Sequence, residues 1–97
     1  MVRALLFSIF ILLFVGTTYA QDNLTGRVYE DKTKVALPGI VIKNLKTQST
    51  TISDRTGAYS IPAHTGDLVV FSAFSYVPDT LYVTSLKYTE ISLVLNT

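Results

Sequence analysis

The chain has 97 residues, enough for one domain, with 8 basic side chains, 7 acidic side chains and no cysteine. The lack of cysteine excludes a disulfide framework and a lipid-anchored lipoprotein cysteine. Beyond residue 20 the basic and acidic side chains are equal in number, seven of each. This neutral balance gives no basis for nucleic-acid binding, which needs an excess of lysine and arginine.

The first twenty residues have the pattern of a secretory signal peptide. Arg3 precedes an apolar run over residues 4–15 that only Ser8 interrupts, and small residues stand at Thr18 and Ala20. A run of this kind has the roughly 7–15 residues of a signal sequence and falls short of the roughly 20 that span a membrane.

We therefore predict a signal-peptide helix over residues 1–20 that is cleaved after Ala20, with an uncleaved membrane anchor as the alternative. Residues 21–97 form the predicted mature domain. We expect this domain in the periplasm or secreted, in a bacterial envelope, because an exported domain without disulfides is typical of bacteria. We expect no contact with the membrane after cleavage.

The mature chain is rich in valine, isoleucine, threonine, tyrosine and phenylalanine, and no stretch has the sustained period of an amphipathic helix. Alternating segments predict seven strands, over residues 24–30, 40–45, 49–53, 58–61, 68–74, 80–84 and 90–95. Gly26 inside the first strand predicts a close backbone approach or a bulge. The segment 68–74 is apolar on both faces, which predicts a central strand covered on both sides. A kink is predicted around Pro78.

The stretch from Asp54 to Gly57 has the chemistry of a hairpin turn between the third and fourth strands. The aspartate carboxylate can accept backbone N–H groups two residues on, and glycine tolerates a positive φ. The flanking Ile52 and Tyr59 are predicted to lie in the core. The full set of predicted structural turn residues is Pro38, Gly39, Asp54, Gly57 and Gly66.

Seven short strands at intervals of roughly ten residues predict an all-β fold, a seven-stranded antiparallel β-sandwich of the transthyretin or immunoglobulin type. A single sheet would leave one apolar face of the segment 68–74 in water. A closed barrel is the alternative architecture.

Several short motifs, in their order along the chain, resemble the carboxypeptidase regulatory-like domain family. They are Gly26-Arg27-Val28 with Asp31, Leu37-Pro38-Gly39, the turn Ser53-Asp54 to Gly57 with Tyr59-Ser60, Gly66-Asp67-Leu68, Phe71-Ser72 and the closing strand 91–95. One departure is Ser75, which stands where the family often has glycine. The resemblance implies a transthyretin-like β-sandwich without catalytic activity.

Members of that family occur beside metallocarboxypeptidase domains, as N-terminal extensions of TonB-dependent outer-membrane receptors, and as lone exported domains. The resemblance implies a non-catalytic module that acts in protein interaction or as a structural accessory of the cell envelope, with an unknown envelope protein as partner. An N-terminal fragment of a TonB-dependent receptor or other envelope protein is one alternative. A small carbohydrate-binding module is another.

No residue pattern indicates an enzyme. His64 is the only histidine, and we expect it to be a solvated loop residue, because a zinc site needs several ligands. Asp54 lacks the alternating oxygen ligands of a calcium loop, so we expect no metal and no cofactor. The C-terminus lacks the Tyr-Arg-Gly-Ser ending of the hydroxyisourate hydrolases, which share this fold. For a glycan ligand, the candidate aromatic platform is Tyr29, Tyr59, Tyr76, Tyr82 and Tyr88.

Overall fold

The structure is a computed structural model that describes residues 22–96 of the chain. The predicted signal helix and its cleavage site lie outside these residues. The described part contains seven strands and no helix. It therefore contains no helix that is long and apolar enough to cross a membrane. The strands are β1 (Asn23–Glu30), β2 (Val41–Asn44), β3 (Thr50–Ile52), β4 (Ala58–Pro62), β5 (Leu68–Ala73), β6 (Tyr76–Tyr82) and β7 (Thr89–Leu93).

The strands form a three-stranded sheet in the order β4-β1-β7 and a four-stranded sheet in the order β3-β2-β5-β6. The prediction of an all-β fold with seven strands in two sheets is confirmed. The prediction of wholly antiparallel pairing is wrong for one pair, because β1 and β7 run parallel. Parallel strands need a long crossover, and here all the strands between β1 and β7 supply it.

The two sheets share one hydrophobic core, into which β1, β2, β4, β5 and β7 direct alternate side chains. Tyr59 of the three-stranded sheet packs edge-on against Phe71 of the four-stranded sheet, with ring centroids 5.1 Å apart and an angle of 76° between the planes. The predicted core position of Tyr59 is therefore confirmed. The buried apolar residues are Leu24, Val28, Ile40, Ile42, Tyr59, Ile61, Ala63, Val69, Phe71, Val83, Ile91 and Leu93.

At Gly26 the backbone of β1 closely approaches that of β7. A Cβ atom at this position would overlap the carbonyl oxygen of Thr89 and would lie 2.8 Å from the hydroxyl oxygen of Tyr59. That hydroxyl itself donates a hydrogen bond of 2.8 Å to the Thr89 carbonyl. The predicted close backbone approach at Gly26 is confirmed.

The turn from Asp54 to Gly57 is not a hairpin. It joins β3 of one sheet to β4 of the other, and these two strands do not pair. Ile52 was predicted to lie in the core but is 60% exposed. The reason is register: Ile52 pairs with Val41, whose side chain also points outward, so the inward position falls to the next residue, Ser53.

Ser53 is buried with its hydroxyl group satisfied. Its Oγ accepts a hydrogen bond of 2.9 Å from the Ile40 amide and donates one of 2.8 Å to the Leu37 carbonyl. A small polar residue with two backbone partners thus occupies the corner at which the chain leaves the four-stranded sheet.

In the region of the kink predicted around Pro78, β6 begins at Tyr76, continues through the proline and has an irregular register with β5. Two features allow this. β6 is the edge strand of its sheet, and the register shifts between Phe71, which faces Asp79, and Ala73, which faces Tyr76. Proline is tolerated at sheet edges and bulges because it has no N–H to donate to a ladder.

The expectation that β5 is covered on both faces is also wrong. Val69 and Phe71 are fully buried, whereas Leu68 is 41% exposed and Val70 is only half-buried. β5 is central within its sheet, between β2 and β6, but nothing in the described part of the chain covers the outer side of that sheet.

Candidate functional site

Four of the five predicted turn residues lie together at one end of the fold. Pro38 and Gly39 precede β2, and the Gly39 amide donates a hydrogen bond of 3.0 Å to the Ser53 carbonyl, next to the turn of Asp54 and Gly57. Gly39 and Gly57 have φ values of 75° and 78°. Gly66, with φ of 94°, lies apart from them, at the loop that follows β4.

Asp54 acts as a cap for this turn. Its Oδ1 atom accepts hydrogen bonds from the Thr56 amide at 2.8 Å, the Thr56 hydroxyl at 2.8 Å and the Ala58 amide at 3.1 Å. The Thr56 hydroxyl and amide hold the pKa of the Asp54 carboxyl below its ordinary value. These contacts are all local, so the geometry of the carboxylate is that of an Asx turn.

His64 is exposed, and its Nε2 atom lies 3.9 Å from an Asp22 carboxylate oxygen. Among residues 22–96, no three histidine, aspartate or glutamate side chains converge in a way that could hold a metal ion.

The structure separates the five tyrosines of the candidate platform. Tyr59 is in the core, and Tyr76 and Tyr82 belong to β6 of the four-stranded sheet. Only Tyr29, on β1, and Tyr88, just before β7, come together.

Tyr29 and Tyr88 meet at Glu90, where both hydroxyls donate hydrogen bonds of 3.2 Å to the same carboxylate oxygen, Oε2. Arg27 stands opposite Glu90 in the register of β1 and β7. We call these four residues the tyrosine face. Partial burial, and then the Glu90 carboxylate, raise the pKa of Tyr88, while contact with Tyr29 raises the pKa of Arg27. The tyrosine face is therefore an electrostatically linked group on the exposed side of the three-stranded sheet.

A shallow groove of about 300 Å³ adjoins the tyrosine face and is lined by Tyr29, Lys34, Glu90 and Ser92. It offers an aromatic ring, an ammonium group, a carboxylate and a hydroxyl. These groups can hydrogen-bond and stack against a polar ligand.

A buried polar network was missed by the sequence reasoning. Asp67 and Asn44 are buried, and Asn44 Nδ2 donates hydrogen bonds to Asp67 Oδ2 at 2.9 Å and to the Pro62 carbonyl at 3.1 Å. The His64 amide donates to the same Asp67 oxygen at 2.9 Å. The network ties the end of β2 to the end of β4 and the start of β5.

Asp67 Oδ1 accepts no hydrogen bond within residues 22–96, and the nearest cation is Lys46 Nζ at 3.9 Å. The bond from Asn44 and that from the His64 amide keep the pKa of the Asp67 carboxyl below its ordinary value. A signal for this network existed in the sequence. Asn44 follows Ile40 and Ile42 at the inward positions of a predicted strand, where a polar side chain needs a buried partner.

The outer side of the four-stranded sheet carries exposed apolar side chains from all of its strands. We call them, with the adjoining Leu45, the apolar face: Val41, Leu45, Ile52, Leu68 and Tyr82. Within the apolar face, Ile52 and Tyr82 are the most exposed residues, each at 60%. The Leu45 amide donates to the Leu68 carbonyl at 2.9 Å, which joins Leu45 to this sheet.

Comparison with known proteins adds no relative: no family model, no curated protein and no solved structure matches this chain.

Proposed function

We propose that this chain is an exported, non-catalytic module of the carboxypeptidase regulatory-like type, a transthyretin-like β-sandwich that acts in protein interaction or as a structural accessory of the cell envelope. The observation that carries this proposal is the apolar face. Isolated exposed apolar residues are normal on protein surfaces, but several of them grouped on one face of a sheet are typical of a surface that another molecule covers.

The architecture supports the family part of the proposal. Two sheets of three and four strands share one core, as expected of a sandwich. Three of the motifs that carry the resemblance lie at the junctions of these strands: Pro38-Gly39 before β2, Asp54 and Gly57 between the sheets, and Gly66-Asp67 before β5.

Expression of the full chain in a bacterium tests the export part of the proposal. The periplasmic fraction should contain a protein whose intact mass corresponds to a chain that begins at Gln21. Retention of residues 1–20 would contradict the proposal and favour the membrane anchor. The purified mature protein should bind no stoichiometric zinc or calcium and cleave no peptide, and stoichiometric metal or peptide cleavage would contradict the non-catalytic part.

Carbohydrate binding is the second candidate function, and the tyrosine face favours it. Aromatic rings beside charged hydrogen-bonding groups suit the apolar faces and hydroxyls of a sugar. A titration with chitotriose and maltotriose, followed by nuclear magnetic resonance, tests this function. Sugar binding should perturb the Tyr29 and Tyr88 ring signals and should be lost in Tyr88→Ala, whereas Tyr82→Ala on the other sheet is the matched control. If neither sugar shifts the Tyr29 and Tyr88 ring signals of the wild-type protein, this function is contradicted.

A further inference from the structure

We infer that the apolar face docks an extended segment of a partner protein in which a carboxylate lies between two apolar side chains, with the carboxylate against Lys43. This inference rests on the proposed role in protein interaction and specifies the chemistry of the partner.

Lys43 occupies the middle of the face. It pairs with Thr50 on β3 and with Val70 on β5, and Val70 in turn pairs with Thr80 on β6. Lys43 thus belongs to a row that crosses all four strands, with neighbours on both sides.

Apolar rows flank this central row. Val41 pairs with Ile52 on one side of it, and Leu68 pairs with Tyr82 on the other. Along β2 and its continuation, Val41, Lys43 and Leu45 are all exposed and follow one another at every second residue. The exposed pattern on this line of the face is therefore apolar, basic, apolar, with the two-residue period of an extended chain.

Lys43 is the only charged residue among the strand positions that the registers place on this face. Within residues 22–96, Lys43 takes part in no salt bridge. An ammonium group that becomes covered by an apolar partner needs a compensating negative charge, because burial of an unpaired charge is costly. The complementary surface therefore carries a carboxylate at that point.

A second copy of this chain fits the face less well. A two-fold contact centred on the face would bring Lys43 of one copy close to Lys43 of the other, and like charges in apposition are unfavourable. A lipid surface also fits less well, because attraction to anionic lipid relies on a cluster of basic residues rather than a single lysine.

Two matched peptides test the inference. Acetyl-Val-Thr-Glu-Thr-Val-amide presents valine, glutamate and valine on one side at the spacing of Val41, Lys43 and Leu45, and its analogue has lysine in place of glutamate. Each is titrated into the processed, isotope-labelled protein and followed by nuclear magnetic resonance, which detects millimolar binding. The acidic peptide should shift the amide signals of Val41, Lys43 and Val70 and should bind about tenfold more tightly than the basic one.

Three variants sharpen the titration. Lys43→Glu should reverse the order of affinity of the two peptides. Ile52→Thr should weaken the binding of both peptides. Tyr88→Phe on the tyrosine face should change the affinity of neither peptide. The residues altered are exposed or partly exposed, so thermal melts should confirm that all three variants remain folded. Equal affinity for the two peptides in wild type and Lys43→Glu, or no shifts at all, would overturn the inference.

Two further measurements distinguish other occupants. If analytical ultracentrifugation detects a dimer that Ile52→Thr abolishes, the occupant of the apolar face is a second copy of this chain and the inference is overturned. If the protein co-sediments with phosphatidylglycerol vesicles and Lys43→Glu abolishes this, the occupant of the apolar face is a membrane and the inference is overturned. If the protein is exported and processed correctly but the peptides do not bind as expected, only this inference is rejected. If the protein is not exported, the proposed function itself is rejected.

Discussion

The outer faces of the two sheets differ in chemistry, although both sheets direct alternate side chains into the same core. On the outer side of the three-stranded sheet, Tyr29 and the adjoining Tyr88 both hydrogen-bond to Glu90. On the four-stranded sheet several of the exposed groups are apolar, and Lys43 lies among them without a salt bridge inside the described part of the chain. The inner faces are constrained by packing, so the outer faces are where the two sheets can specialise.

The sheets also differ in how tightly their strands approach. In the three-stranded sheet, Gly26 allows the backbone of β7 and the Tyr59 hydroxyl to occupy the space of a side chain. The four-stranded sheet is antiparallel throughout and contains no glycine within its strands. The first sheet should therefore be the more sensitive of the two to small increases in side-chain size.

The largest expected effect comes from Gly26→Ala. The added methyl group would overlap the Thr89 carbonyl oxygen and displace the Tyr59 hydroxyl. Overpacking usually costs about 1–3 kcal/mol, and an overlap with backbone should reach or exceed the upper end of that range. Against a total stability of about 5 kcal/mol for so small a domain, a loss of about 3 kcal/mol should lower the urea midpoint of unfolding by more than half. Circular dichroism during urea denaturation measures this, and Thr25→Ala, on the outer side of the same strand, is the control. A Gly26→Ala midpoint close to that of Thr25→Ala would contradict the close approach.

A second, smaller effect separates backbone conformation from steric contact. Gly57 and Gly39 have nearly the same positive φ, yet a Cβ at Gly57 would lie 2.7 Å from the Val28 carbonyl oxygen, while one at Gly39 would have no atom within 4 Å. Gly39→Ala should therefore lose only the roughly 1–2 kcal/mol of left-handed geometry. Gly57→Ala should lose more, because it also disturbs β1. Thermal melts of the two variants make the comparison. Equal losses of stability would show that the contact of the added Cβ with β1 does not destabilise the fold.

Stability should also decrease in acid. The pKa values of Asp54 and Asp67 are both lowered from the ordinary 3.8, so the folded chain binds these protons more weakly than the unfolded chain does. Their stabilisation is present above the ordinary pKa and is lost as the pH falls through the lower, folded-state values. Asp67→Asn and Asp54→Asn should each make the fall in melting temperature with pH shallower than in wild type. Parallel curves for wild type and both variants would contradict the lowered pKa values.

The smallest effect is local to the tyrosine face. Glu90→Gln removes the carboxylate that helps to raise the pKa of Tyr88, so that pKa should fall toward its ordinary value. It should remain somewhat raised, because partial burial also raises it and is unchanged in the variant. Ultraviolet titration of the tyrosines measures the change, with Ser92→Ala on the same strand as control. An unchanged or higher Tyr88 pKa in Glu90→Gln would exclude the carboxylate as a cause.

Local chemistry made several parts of this fold predictable. Alternation of apolar and polar residues placed the seven strands to within a few residues, because a strand with one buried face imposes a period of two. The glycine in the first strand indicated a close approach that the Thr89 carbonyl now explains. For the candidate sites, the sequence offered five tyrosines, and only Tyr29 and Tyr88 come together, since side chains distant in sequence meet only where the strand order brings them.

The sequence by itself determined the all-β class, the number of strands and the chemistry of the turn at Asp54, because these depend on neighbouring residues and on the period of a strand. Only the tertiary structure decided that this turn is a corner between sheets, that Ile52 faces outward, and that β1 and β7 run parallel. Those outcomes depend on which strands pair and in which register, and a shift of one residue in register exchanges the inside and outside of a strand. The same pairing left one face of β5 uncovered, and with it the surface around Lys43.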